Sequence, residues 1–242
     1  AALCALAQVL DDDGILAEAA ADFDAWLEGT SADGFHEYNS PAYTPVTLFG
    51  LETAWAGARG ALRERLKRAL DLVAHQLALN LCPNGFLAGA ASRAYPDNVL
   101  RDAHLAYAHV KFGTPLPPSP AHNVGLVTPT LFDYVPPAAV RELAIRKPGP
   151  AEIHDQCLSE RNRRAHVMTP DFSLASQRLA SVGGHSPPPY ILLARHRARD
   201  RFAVPFPPDE SFQHQPCAAF DCRQTGTRVV GRLYYDLGRW RT

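Results

Sequence analysis

The sequence predicts an α+β fold in which helical hairpins come first and a mainly antiparallel β part follows. Apolar residues at helical spacing dominate up to about residue 112, whereas 17 of the 21 prolines lie between Pro115 and Pro216. Proline excludes long helices and interrupts central strands, so this change in composition marks a change in structure. We therefore divide the chain into a helical domain (1–114), a proline-rich connecting segment (115–160) and a β-rich domain (161–242).

The first part contains four or five predicted helices. The clearest is Ala61–Leu81, where leucines recur at helical spacing and charged residues fall mostly on the other side. Ile15–Glu28 shows a comparable stripe behind Asp11–Asp13, which suit a helix N-terminus. A third helix has Pro45 in its first turn, and a fourth ends near Phe112. The connections between them are short, which predicts antiparallel hairpins.

The second part contains short segments of strand character bounded by turn residues. A hairpin turn is expected at Gln224-Thr225-Gly226, between the last two strands. The predicted strands are Tyr190–His196, Cys217–Arg223 and Arg228–Leu237, with weaker candidates at Ala165–Thr169 and Phe172–Ser176.

Composition excludes several classes of function. The chain has 242 residues, 46% of them hydrophobic, which is enough for a substantial core. Lys plus Arg total 24 against 25 for Asp plus Glu, so we expect no nucleic-acid partner. No apolar run approaches the roughly 18 residues of a membrane span, and we expect none. The five cysteines are scattered, no histidine spacing suggests a ligand pair, and no phosphate loop occurs, so we expect no metal and no cofactor.

One loop before a predicted helix contains an imidazole, a carboxylate, two phenols and an amide. In one interpretation Asn39 donates hydrogen bonds to a carboxylate or oxyanion of the substrate, while the tyrosines or the histidine transfer protons. In the other, Asn39 and Ser40 cap the next helix and the tyrosines only pack. We predict as catalytic His36, Tyr38, Asn39 and Tyr43, with Glu37 as a substrate-binding residue, all from Gly34-Phe35-His36-Glu37-Tyr38-Asn39-Ser40-Pro41-Ala42-Tyr43.

Two further segments supply candidate substrate-binding residues. Arg93 offers a guanidinium that holds a carboxylate at two points, and Tyr95 offers a ring for a sugar-like face. The alternative for Arg93 is a surface residue that caps helix carbonyls. His166 and Asp171 could form an acid/base pair, although Asp after Pro is also ordinary turn chemistry.

Four segments together resemble bacterial heparinase II/III-like polysaccharide lyases. They are GFHEYNSPAY, RERLKRALDLVAHQLALN, GFLAGAASRAY and HVMTPDFSLAS, and the resemblance covers about residues 15 to 110 and 160 to 240. It implies a partial α/α toroid followed by a β-sandwich, and cleavage of uronic-acid polysaccharides by β-elimination. It also implies roles: Asn39 neutralises the substrate carboxylate, Tyr43 or Tyr38 transfers the proton, His36 is a neighbouring acid/base, and Arg93 binds a sugar carboxylate.

We therefore expect a carbohydrate-active enzyme, a lyase acting on an acidic polysaccharide, whose partner is a glycan or another small-molecule substrate. Two alternatives stay open. A six-hairpin-type glycoside hydrolase would need two carboxylates, for which Glu37 and Asp171 are the proposed pair. A non-catalytic glycan-binding or scaffold protein would use the same aromatic and polar loops. A polysaccharide substrate favours a secreted or periplasmic location. Because the chain opens with Ala1 and its single methionine is Met168, we expect a processed N-terminus or a longer protein.

Overall fold

The computed structural model describes residues 2–35, 39–40, 43–82, 103–115, 127–147, 149–157, 159–177, 191–195, 200–204 and 219–234. Within them, helices come first and antiparallel strands follow, which confirms the predicted order of the two kinds of structure. Six helices have defined bounds in this part of the chain, and none of them is both long enough and apolar enough to cross a bilayer. They are α1 (Ala2–Leu10), α2 (Asp13–Asp33), α3 (Tyr43–Gly57), α4 (Gly60–Asn80), α5 (Ala103–Phe112) and α6 (Ala138–Ile145).

Local signals in the sequence set the helix ends. The Asp12 carboxylate accepts a hydrogen bond from the Ile15 backbone N–H at 3.0 Å, so the acidic run caps α2 as predicted. Pro45 lies in the first turn of α3, where its missing N–H costs no helical hydrogen bond. At the reversal between α3 and α4, Gly60 has a φ of 54°, a left-handed conformation that glycine adopts without a steric penalty.

The core of the helical part is built around α4. Its buried leucines, Leu62, Leu66, Leu70 and Leu77, lie on one stripe and belong to a cluster that also includes side chains of α2, α3, α5 and α6. Each such side chain contributes about 1.5 to 3 kcal/mol when it leaves water. This stripe is the one that the periodicity predicts.

A buried ion pair that the sequence analysis does not anticipate crosses this core. The Lys111 ammonium lies 3.2 Å from the Glu52 carboxylate, and the two side chains are 5% and 0% exposed. Tyr107 donates a hydrogen bond to the same carboxylate at 2.9 Å. Lys111 also donates to the backbone carbonyls of Phe132 and Tyr134, at 2.9 and 3.0 Å. Burial raises the pKa of the Glu52 carboxyl, against the opposing effects of Lys111 and Tyr107. The pair thus connects α3 and α5 to the segment before α6.

The strands form one five-stranded antiparallel sheet and one two-stranded hairpin. The five strands follow chain order across the sheet. Gly226, with a φ of 53°, occupies the turn of the hairpin, as predicted, and Gln224 donates a hydrogen bond from the hairpin to the Leu174 carbonyl at 2.9 Å. The strands are β1 (Ala151–Cys157), β2 (Ser159–Met168), β3 (Phe172–Gln177), β4 (Ile191–Arg195) and β5 (Asp200–Val204) in the sheet, and β6 (Ala219–Thr225) and β7 (Arg228–Tyr234) in the hairpin.

The segment 115–160 contains more regular structure than a proline-rich connection suggests. It includes α6, β1 and the beginning of β2. The prolines do not oppose this structure, because Pro137 is the residue that precedes the first turn of α6 and Pro150 directly precedes β1. Proline content alone therefore does not distinguish a linker from short elements whose ends are prolines.

The C-terminal half of α4 packs against the sheet through polar contacts. The Gln76 amide donates a hydrogen bond to the Asp155 carboxylate on β1 at 2.9 Å. Asp155 also forms an ion pair with Arg164, its direct neighbour on β2. At the end of α4, the Cys82 thiol lies 3.5 Å from the Ser173 hydroxyl on β3. The helical part and the sheet are thus joined along α4.

We predict that Lys111→Met lowers the free energy of unfolding by about 3 to 5 kcal/mol, because it leaves the Glu52 carboxylate buried without its counter-charge. Urea unfolding measures the loss. As a control, Glu142→Gln removes the exposed Glu142–Arg146 pair and should cost less than about 0.5 kcal/mol. Equal losses in the two variants would contradict a central role for the buried pair.

Candidate functional site

A cavity of about 560 Å³ opens between α1, α2, α3 and α4, below the loop that follows α2. This volume is in the range of small-molecule binding sites. Its lining is mainly apolar with a small number of polar side chains, the composition expected of a site that encloses a ligand and orients it. We call this cavity the groove.

One face of α2 forms an aromatic wall of the groove. Ala19, Asp22, Phe23 and Trp26 recur at spacings of three and four residues, which places them on one side of the helix. The rings of Phe23 and Trp26 have centroids 5.8 Å apart and planes inclined by 26°. Trp26 is 38% exposed, so its ring is accessible to a ligand. The wall therefore combines the exposed ring of Trp26, which packs on the buried ring of Phe23, with one carboxylate.

The predicted catalytic loop contributes Asn39 to the groove. Its backbone has a φ of 52°, in the left-handed region that asparagine adopts more readily than most residues, and its side chain lines the groove. The next residue, Ser40, accepts a hydrogen bond from the Tyr43 backbone N–H at 3.1 Å and caps α3. Each interpretation of this loop therefore fits one of two adjacent residues. Ser40 caps the helix, and Asn39 lines the cavity.

The remaining polar lining comes from α3 and α4. Thr44 and Thr47 present hydroxyls from α3, beside Gly50, and Gln76 presents its amide from α4. Because the Asp155 carboxylate only accepts hydrogen bonds, the contact at 2.9 Å fixes the amide nitrogen of Gln76 toward the sheet. The Gln76 carbonyl oxygen keeps its capacity to accept a hydrogen bond from a ligand. Of the groove residues that the structure describes, Asp22 is the charged one.

The sequence-predicted catalytic residues are only partly within the described part of the chain. Asn39 lines the groove, whereas Tyr43 is the first residue of α3 and does not contribute to the lining. The other predicted residues of the two loops lie outside the described residues, and their roles stay predictions. They are His36, Glu37, Tyr38, Arg93 and Tyr95.

The structure places His166 and Asp171 in the β part and not at the groove. His166 is 1% exposed on β2, where burial, with a further contribution from the Arg164 charge, lowers its pKa to about 3. Asp171 is exposed in the turn between β2 and β3, where the Thr169 hydroxyl accepts a hydrogen bond from the Phe172 backbone N–H at 3.0 Å. The structure shows a turn in this segment and burial that favours a neutral imidazole, and the acid/base role of His166 and Asp171 stays a prediction.

Sequence reasoning missed three groove residues, Asp22, Trp26 and Gln76, as functional candidates. The predicted helix Ile15–Glu28 contained a signal for the first, because Asp22 interrupts an otherwise apolar stripe. Gln76 carries no comparable signal, since its importance depends on a contact with Asp155, 79 residues further along the chain.

Comparison of the chain with protein-family models, with curated proteins and with solved structures gives no match. Within the described residues, no group of three or more His, Cys, Asp or Glu side chains has the arrangement of a metal site. Function therefore has to be inferred from the groove itself.

We predict that His166 makes folding sensitive to acid. Its pKa is about 3 in the folded protein and about 6.5 when unfolded, so the unfolded state binds the proton more tightly below pH 6.5. The resulting loss of folding free energy is about 2 kcal/mol between pH 7 and pH 5. Urea unfolding of the wild type and of His166→Gln at both pH values isolates the contribution of His166, because the two proteins have all other titratable groups in common. A stability difference between the two proteins that does not change with pH would contradict the burial of a neutral imidazole.

Proposed function

We propose that the groove binds a glycan and that the protein is a carbohydrate-active enzyme, a lyase that cleaves a uronate-containing polysaccharide by β-elimination. The observation that supports this proposal is the combination of the exposed Trp26 ring with the polar side chains of Asp22, Asn39 and Gln76 in one cavity. A sugar ring has an apolar C–H face and an edge of hydroxyls, so it is complementary to such a lining.

The proposal includes the finer architecture that the sequence resemblance implies. In it, the helical hairpins form a partial α/α toroid, and the antiparallel strands belong to a β-sandwich-like part. The groove agrees with this proposal, because side chains of four helices, α1, α2, α3 and α4, line it together with Asn39 from the loop before α3.

In β-elimination, a base removes the proton from the sugar carbon next to the carboxylate. The electron pair forms a double bond to the neighbouring carbon, the bond from that carbon to the glycosidic oxygen breaks, and the departing oxygen takes up a proton. Negative charge develops on the carboxylate, and the Asn39 amide would donate a hydrogen bond to it. A hydrogen-bond donor in such a position lowers the activation barrier by about 3 to 4 kcal/mol. Tyr43, four residues after Asn39, is the described candidate for the proton transfer.

A second candidate function, glycan binding without catalysis, is favoured by one specific observation. Tyr43 does not line the groove, and Asp22 is the ionisable side chain among the described lining residues. In this alternative, the aromatic wall and the polar groups hold the sugar, and no group in the groove removes a proton.

We predict that incubation with alginate, polygalacturonate or heparan sulfate increases ultraviolet absorbance, because β-elimination at a uronate creates a conjugated double bond. Asn39→Ala should reduce the initial rate about 100- to 1,000-fold, and Tyr43→Phe about 100-fold or more. Glu18→Gln, an exposed change on α2 outside the groove, is the control and should keep the wild-type rate. Glycan retention without any absorbance change would support binding alone, and new reducing ends without absorbance would indicate a hydrolase.

We also predict that Gly50→Leu blocks glycan binding without loss of folding. A Cβ atom at Gly50 meets no atom within 4 Å, so the side chain extends into the groove instead of disturbing the core. Glycine is about 0.8 to 1 kcal/mol less favourable than alanine in a helix, and leucine ranks just below alanine, so the change also favours the helix. Isothermal titration calorimetry should show at least about tenfold weaker binding of the same polysaccharides.

Gly29 provides a matched control for this experiment. It is also a helical glycine with open space around its Cβ position, but it lies on α2 outside the groove. Gly29→Leu should therefore bind glycan as the wild type does. Equal binding by both leucine variants would contradict the assignment of the groove as the glycan site.

A further inference from the structure

We infer that Cys82, Met168 and His166 form a binding site for a soft monovalent metal ion, copper(I), between the end of α4 and the sheet. The inference goes beyond the proposed function and is independent of it, because none of the three residues lines the groove. The register of the strands and the path of α4 bring the three side chains to one face of the sheet.

The two sulfur-bearing residues of the site lie together in a small buried cluster. Cys82 and Met168 are its buried members, and Ile153 of β1 packs against them. The Cys82 thiol also lies 3.5 Å from the hydroxyl of Ser173, the direct partner of Met168 across β2 and β3. Directly paired residues of antiparallel strands point to the same side, so the thiol lies over the Met168–Ser173 pair. A thiol and a thioether are thus neighbours in a place that excludes water.

The imidazole of His166 is on the same face of the sheet. His166 precedes Met168 by two residues on β2, and residues at this spacing point to the same side with Cα atoms about 7 Å apart. The partner of His166 on β1 is Ile153, which packs against the sulfur-bearing cluster. The thiol, the thioether and the imidazole therefore lie close together in the layer between the end of α4 and β2.

The path of α4 over β2 agrees with this arrangement. Gln76 contacts Asp155, the partner of Arg164, and Cys82 belongs to one cluster with Met168. The four residue steps from Arg164 to Met168 span about 13 Å of strand. Four helical residues rise about 6 Å and the two residues after the helix add about 7 Å, so this part of the chain runs alongside β2. The imidazole, midway along this stretch of β2, therefore faces the end of α4.

One ring nitrogen of His166 is available to a metal ion. Nε2 has no hydrogen bond to any residue that the structure describes, although the side chain is 1% exposed. A neutral imidazole has one nitrogen with a free lone pair, and burial favours the neutral form. A buried polar atom without a partner loses its interaction with water and gains nothing in return. A metal ion bound at Nε2 would provide that partner.

The donor atoms favour copper(I) over the metals of ordinary protein sites. Thiolate and thioether ligands are soft and select copper(I), and imidazole also suits copper. Structural zinc sites instead use cysteine, histidine and carboxylate ligands. The described residues contain no group of three or more His, Cys, Asp or Glu side chains arranged for a metal, whereas here the third donor is a thioether.

The charge of the site also favours a monovalent ion. When copper(I) binds, the Cys82 thiol loses its proton to solvent and a sulfur electron pair forms the bond to copper, with no change in oxidation state. One positive charge enters as another leaves, so the net charge of the buried site stays the same. A divalent ion would add a positive charge close to Lys147, whose ammonium interacts electrostatically with Cys82.

Met168 provides a specific reporter for this site, because it is the one methionine of the sequence. In protein whose methionine carries ¹³C in its methyl group, the Met168 resonance is assigned by its absence from Met168→Leu. Copper(I), added under argon as its acetonitrile complex, should shift this resonance and saturate, whereas Zn²⁺ should leave it unchanged. A Met168 methyl group that does not respond to copper(I), or that responds equally to Zn²⁺, overturns the inference.

Two ligand variants and a matched control locate the bound ion. Cys82→Ala and His166→Gln should each weaken copper(I) binding at least about tenfold, measured by competition with bicinchoninate. Cys4→Ala removes another buried thiol, on α1, and should bind copper(I) as the wild type does. Unchanged affinity in either ligand variant, or an equal loss in Cys4→Ala, overturns the assignment of the ligands.

Met168→Leu tests the site even if a ligand variant does not fold. Leucine and methionine have similar volumes and exchange with little loss of stability, but leucine has no sulfur atom. This variant should therefore unfold in urea close to the wild type and bind copper(I) at least about tenfold more weakly. Unchanged copper(I) affinity in Met168→Leu would overturn the role of the thioether and with it the proposed site.

Discussion

The buried pair of Glu52 and Lys111 is the constraint on which the helical part depends. Two opposite charges removed from water are stable only when each has partners, and here the carboxylate has Lys111 and Tyr107 while the ammonium also has two backbone carbonyls. The pair fixes the rotation of α3 about its axis. Because Thr47 and Gly50 lie on a different side of the same helix, that rotation also decides which residues face the groove.

The fourth helix connects the groove to the sheet. Its leucine stripe is buried in the core, and Gln76 on another side contacts both the cavity and Asp155. The Asp155–Arg164 pair then joins β1 to β2 at the position where the two strands face each other. A ligand that donates a hydrogen bond to the Gln76 carbonyl oxygen therefore contacts a chain of interactions that extends into the β part. The groove is not an isolated feature of the helices.

Local patterns in the sequence predict much of this fold. The acidic run before α2, the leucine stripe of α4 and the glycine of the β6–β7 turn each act within a few residues, and the structure agrees with each. The sequence analysis does not predict α1, α6, β1 and β5, each of which is nine residues long or shorter. Among the described residues of the groove, Asn39 is the one that the sequence predicts, since the places of Asp22 and Gln76 depend on which helices pack together. Pairing over long sequence distances, as between Glu52 and Lys111, leaves no local signal.

The most direct measurement of glycan binding in the groove is a nuclear magnetic resonance titration that follows the indole N–H groups of Trp26 and Trp55. Trp26 is in the aromatic wall, whereas the Trp55 ring is covered by the Arg63 guanidinium at 4.0 Å and contacted by Tyr134. With a tetrasaccharide of uronate, we expect the Trp26 resonance to shift and saturate while Trp55 does not change. Saturable shifts elsewhere in the spectrum, with Trp26 unaffected, would contradict the account.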